Sequence, residues 1–131
     1  MNAFALPPLE AFLDAHREYI DQFGGDHGVR DLGRLEAALG RAQSLIDYGD
    51  NPTLFDIAAV VSHGISKNHA FVDGNKRMSF GAIVVILTLN GYDLDVTERG
   101  AVTVITAVAK SEMDERALSD WIRDNAIPRS R

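Results

Sequence analysis

The run Asn75-Lys76-Arg77-Met78-Ser79-Phe80-Gly81-Ala82-Ile83-Val84-Val85-Ile86-Leu87-Thr88-Leu89-Asn90 decides the fold. After its first turn it is apolar nearly all round, which marks an element buried on every side. Its β-branched residues would also suit a buried strand, and periodicity alone does not separate the two. Length does, because about 16 unbroken residues exceed the 3–10 of ordinary strands. The run therefore reads as a central buried helix, closed by Asn90-Gly91 as a C-cap or turn.

Five further helices are expected around it. Upstream, Thr53 and Asp56 resemble a capping box, with Asp in place of the usual Glu. They open a helix from Leu54 to about Asn68, with Leu54, Ile57, Ala58, Val61 and Ile65 inward. Before it, Asp31 to Asp47 carries Leu32, Leu35, Leu39, Ala42 and Ile46 on one face. The first helix is expected over Pro7 to Gln22, since proline is tolerated in a first turn. Leu9, Phe12, Leu13, His16, Ile20 and Phe23 follow its apolar stripe, and Gly24-Gly25 ends it. Downstream, Tyr92 to Val96 alternates like a short extended piece. Thr97 to Lys110 is ambiguous by propensity and is read as helix. Asp114 to Asn125 is the last helix, with Leu118, Trp121 and Ile122 inward. The expected fold is all-α: a compact bundle of about six helices forming a single domain over residues 1–131.

Composition narrows the function. A chain of 131 residues can bury a sizeable core unaided. It has no cysteine, which excludes disulfides, thiolate metal sites and cysteine nucleophiles. Nineteen acidic against 13 basic residues leave a charge of −6, which disfavours broad nucleic-acid binding. The stretch Met1 to Leu13 lacks the charged start of a secretory signal, and no apolar run is long enough to cross a bilayer. A cytoplasmic location, with no membrane partner, is expected.

The chemistry is concentrated in His69-Ala70-Phe71-Val72-Asp73-Gly74-Asn75-Lys76-Arg77. A helix start presents backbone N–H groups and a favourable dipole to an anion. Gly74 lets backbone approach a ligand. Lys76 and Arg77 offer positive charge to phosphate oxygens. Cations at a helix N-terminus oppose the dipole, so a bound anion explains them better than solvation does. Asp73 reads in two ways, as an N-cap of the fourth helix or as an oxygen ligand for magnesium. His69 can accept a proton near neutral pH. Phe71 reads as a core anchor and Phe80 as core. His63 either faces the site or packs, and packing is favoured. His16 and His27 lack supporting context and read as structural or exposed.

This nine-residue stretch resembles the Fic/Doc motif, H-P-F-x-(D/E)-G-N-(G/K)-R, with Ala70 in place of the common proline. It is most similar to the Doc (death-on-curing) branch, whose members are toxins of toxin–antitoxin modules. Lys76 stands where AMP-transferring Fic proteins usually have glycine, and Phe80 where they carry a second arginine. The run Gly24 to Leu39 also looks like Doc. The resemblance implies His69 as general base, Asp73 as magnesium ligand, and Gly74, Asn75, Lys76 and Arg77 as the nucleotide phosphate site. It implies ATP and Mg2+ as cofactors. It further implies an inverted nucleotide, so that the γ-phosphate moves and the protein is a kinase; AMP transfer is the alternative, and a non-catalytic nucleotide- or partner-binding module a third reading. The implied partners are elongation factor Tu as substrate and a cognate antitoxin bound in an apolar groove near the site. The loop Gly24 to Arg34 is either a plain connection or a flap that positions the target segment.

Overall fold

The computed structural model describes residues 4–129; Met1 to Ala3, the start of the stretch read for a signal, lie outside them. Six helices follow in order: α1 Leu9–Phe23, α2 Leu32–Tyr48, α3 Leu54–Asn68, α4 Asn75–Leu89, α5 Glu98–Ala109 and α6 Glu115–Asn125. Two three-residue strands, β1 Tyr92–Leu94 and β2 Ala126–Pro128, pair antiparallel with Tyr92 opposite Pro128 and Leu94 opposite Ala126. The all-α expectation holds, with this small ribbon added.

Local signals account for most helix starts. Asp31, Thr53, Thr97 and Asp114 each accept a hydrogen bond from the backbone N–H three residues on, satisfying a donor the helix itself cannot use. At α3 the capping box is complete, since the Thr53 N–H also donates to Asp56 Oδ2 at 2.8 Å. The start of α1 is a correction. Pro7 lies outside the helix and Pro8 is its extended N-cap, with ψ 159°. Pro8 disfavours helical geometry at the residue before it, so the double proline delays the helix by two residues.

The centre is shared between two helices. α4 packs against α1, α3, α5 and β1, while α3 packs against α2, α4, α5 and α6. Ten residues of α3 are buried against seven of α4, so α3 is the more enclosed of the pair. Ser62 and Ser79 clamp the crossing, each hydroxyl donating to the other's backbone carbonyl at 2.8 and 2.9 Å. Gly64 permits the approach of α2 to α3, since a Cβ there would stand 2.8 Å from that of Ala38. The antiparallel α3–α4 pair brings the C-terminus of one and the N-terminus of the other together around residues 69–74.

Asp56 ties the α3 start to α6, because the Ser119 hydroxyl donates to its Oδ1 at 2.6 Å. Burial pushes its pKa up, but the hydrogen bonds from Ser119 and Thr53 outweigh this and hold it below the usual value. A depressed carboxyl stabilises the fold above its unfolded pKa, about 3.9, and that contribution fades as pH falls through the folded value. Asp56→Asn should therefore lower the urea midpoint at neutral pH. The gap from wild type should close on acidification below about pH 4. A gap independent of pH would remove the electrostatic explanation.

Candidate active site

His69 is the C-cap of α3. It is exposed and sits in the left-handed region, φ 52° and ψ 55°, with its N–H donating to Ile65 O. Few residues besides glycine tolerate this region, and histidine is among those enriched there. The chain then turns inward, burying Ala70 and Phe71. Asn75 closes the loop from the other end: its Oδ1 accepts the Phe71 N–H at 3.1 Å and its Nδ2 donates to Phe71 O at 2.9 Å. Phe71 is thus the core anchor expected of it.

Gly74 adopts φ 76° and ψ 22° and is followed directly by the helical residues of α4. A left-handed residue before a right-handed turn makes successive N–H groups converge on one point, an anion-binding nest. Among the described residues no group accepts a hydrogen bond from the N–H of residues 74, 75, 76 or 77. Lys76 and Arg77 are exposed at the same helix start, and among the described residues neither pairs with a carboxylate. Arg77 instead lies over the Phe23 ring, 3.7 Å from its centre. Tyr19 is nearby, its phenol pushed up by burial and pulled partly back by Arg77.

These cations edge a groove of about 600 Å³ between α1, α4 and α5. Tyr19, Phe23, Phe80, Val102 and Ile105 supply apolar wall and Glu98 an acidic rim. Phe80 is therefore not simply core, as expected, but half-buried and open to the groove. Its exposure follows from its place one turn into α4, before the helix is fully enclosed.

Asp73 does not cap α4, which has no side-chain cap. Its Oδ2 instead accepts the Asp26 N–H at 3.1 Å, from the loop Gly24 to Asp31, since Leu32 to Arg34, expected in that loop, already belong to α2. That loop is no plain connection. Val29 forms an antiparallel bridge with Phe71, the Arg30 and Asp31 N–H groups donate to Ala70 O, and the Val72 N–H donates to Gly28 O. It lies as an extended segment along the motif. His63 points elsewhere, packing near Glu115 of α6 at 3.8 Å. Burial holds its pKa below the usual value; Glu115 opposes the shift, and Lys67 and Arg41 add to it. His27 is exposed and bonded to Asp21.

One participant was not foreseen. His16 is buried, 3% exposed, with its ring stacked on Phe71 at 3.9 Å and Nε2 donating to Asp73 O at 2.7 Å. The available signal was its place in the apolar stripe of α1, since a buried imidazole requires a polar partner. Phe23 carried no signal beyond the same stripe.

The donor set suits a nucleotide's phosphates: a nest, two unpaired cations and one accessible carboxylate. It does not suit a protein-caged metal, because no cluster of three or more metal-ligating side chains exists among the described residues. A cation at Asp73 would need phosphate oxygens to complete its shell, which is the usual arrangement for magnesium.

The family model of the Fic/DOC family matches residues 6–87, from the approach to α1 through most of α4. The chain belongs to the Fic/DOC family. It is 45% identical over 89 residues to Toxin Doc of Mycolicibacterium smegmatis, covering 59% of this chain and 68% of that protein. It is 30% identical over 115 residues to Protein kinase doc of Escherichia phage P1, covering 87% and 90%. These likenesses put it in the Doc branch of the Fic/DOC family. No helix among the described residues is long and apolar enough to cross a membrane.

In this Fic/DOC site the Arg77–Phe23 contact holds a cation ready beside the nest. Such a contact is worth about 0.5–1 kcal/mol when exposed, so Phe23→Leu should weaken ADP binding about two- to fivefold. Phe23→Trp should restore it. Calorimetric titration with ADP measures both, and unchanged affinity in Phe23→Leu would deny the contact a role.

Proposed function

We propose that the chain is the toxin of a toxin–antitoxin module and acts as a protein kinase. It transfers the γ-phosphate of ATP to a hydroxyl of a translation factor, elongation factor Tu by the family resemblance, and so stops translation in the cytoplasm. The observation that carries this reading is the pair of unpaired cations at the nest, Lys76 and Arg77, beside the exposed His69. The likeness to a protein named as a kinase over nine tenths of its length supports the same direction.

Each residue has a chemical task. His69 takes the proton of the acceptor hydroxyl as its oxygen attacks the γ-phosphorus, the bond to the β,γ-bridging oxygen breaks and ADP leaves, a general-base role. The N–H groups of Gly74 and Asn75, with Lys76 and Arg77, hold the phosphates and stabilise charge that develops in transfer. Asp73 would hold magnesium, which when bound supplies positive charge to the phosphate oxygens. Lys76 occupies space that a glycine would leave open, and Phe80 offers the terminal phosphates no cation. In the Doc branch, by the family resemblance, this pattern goes with a nucleotide whose γ-phosphate faces the histidine. The extended Gly24–Asp31 segment would align the target, adding its backbone to the peptide's.

A cognate antitoxin is the proposed regulatory partner. The groove beside Lys76 and Arg77 is largely apolar with a few charges, as a segment that folds on binding requires. The test is expression in a bacterial host. Wild-type protein should arrest incorporation of labelled amino acids, co-expressed antitoxin should restore it, and His69→Ala should be harmless. Arrest by His69→Ala equal to wild type would refute the catalytic reading.

A further inference from the structure

We propose that His16 is a positioning residue of the phosphate site: by holding the Asp73 carbonyl it aims the Gly74 N–H at the anion. The inference rests on the phosphate-site reading above and extends it to a side chain on α1, 57 residues away from Asp73 in sequence.

The argument begins with the peptide unit between Asp73 and Gly74. It is trans, like every peptide among the described residues, so its C=O and N–H point in opposite directions. The carbonyl is turned toward α1, where His16 Nε2 meets it at 2.7 Å. The Gly74 N–H must then point away from α1, and it meets no acceptor among the described residues. A rotation of this one peptide would bury the donor and break the nest.

Few other contacts could set that peptide. Among the described residues the Asp73 side chain is held by the Asp26 N–H, and Asn75 pins Phe71, two residues before Asp73. His16 cannot yield easily, because it is buried and its ring is stacked on the buried Phe71, tilted by 14°. Ile20, one turn on, closes the same face: a Cβ on Gly74 would stand 3.2 Å from Ile20 Cδ1 and 3.7 Å from His16 Nε2. Positions 16 and 20 of α1 thus form a wall against which residues 73 and 74 are set. With Nε2 donating, the ring carries its proton on that nitrogen.

Two variants separate position from packing. His16→Phe keeps an aromatic ring against Phe71 and removes the donor. His16→Gln places an amide N–H at a reach close to that of Nε2. The full chain, isotope-labelled, is titrated with ADP, and the Gly74 amide resonance is followed alongside thermal melting. Wild type should show a large ADP-induced shift at Gly74. His16→Phe should fold, lose most of that shift and bind ADP about tenfold more weakly. His16→Gln should return to within about threefold of wild type.

A folded His16→Phe with wild-type affinity and shift overturns the proposal, as does a folded His16→Gln as weak as His16→Phe. If His16→Phe does not fold, His16→Gln and the wild-type ring decide, since a slowly exchanging proton must be found on His16 Nε2. Its absence also overturns the proposal. No ADP response at residues 74–77 in wild type would instead defeat the phosphate-site reading itself, and this inference with it.

Discussion

His69→Ala is expected to slow phosphoryl transfer about 10²–10⁴-fold, the usual contribution of a positioned general base. The fold should survive. His69 is exposed, and the contact fixing its backbone, N–H to Ile65 O, involves no side-chain atom. Alanine at this left-handed position costs at most about 1–2 kcal/mol, well under the roughly 5–15 that holds a typical domain. The paired measurements are a single-turnover rate with labelled ATP and a thermal melt. A folded variant that keeps its rate within a few fold would remove His69 from the chemistry. ADP affinity should barely change, because the proposed phosphate contacts are at residues 74–77 and not at the imidazole.

Phe71→Ala carries the largest expected effect on stability. The ring is 1% exposed and lies in the main hydrophobic cluster with Phe12, Ile57, Met78 and Leu118. Removing a buried phenyl costs about 3–5 kcal/mol, a large part of the 5–15 that holds a typical domain. A fall in the thermal midpoint of about 10–20 °C follows for a domain of this size. The same substitution removes the surface on which His16 stacks, so ADP affinity should fall in whatever fraction remains folded. Calorimetry gives the first quantity and ADP titration at low temperature the second. A midpoint lowered by only a degree or two would mean that the motif loop is not anchored in the core.

Much of this was legible because it is local. The Thr53–Asp56 capping box, the glycine stop after α1 and the unbroken apolar length of α4 all lie within a few residues of what they determine. The motif was legible as a chemical cluster because its nine residues are contiguous. What escaped depends on distant pairing. β2 is three residues, Ala126–Pro128, without alternation, and it exists because β1 offers it an edge. Its proline sits at the margin of a two-stranded ribbon, where a missing N–H matters least. The Gly24–Asp31 loop gives no strand signal, yet its backbone pairs with Phe71 and Ala70, about 40 residues on. Lys76 and Arg77 are legible as cations for phosphate, but the stacking of Arg77 on Phe23 is not, since α1–α4 packing supplies that partner. The enclosure of α3 escaped because Ser62 and Gly64 carry no apolar signal, although both are buried. In the fold they are the residues that let it approach α4 and α2 closely.

The most direct test of the account uses purified elongation factor Tu with ATP labelled at either the α- or the γ-phosphate. The kinase reading predicts label on the target from the γ position alone, at a single hydroxyl, and none with His69→Ala. Label arriving from the α-phosphate would contradict it and make the protein an AMP transferase, despite Lys76 and Phe80.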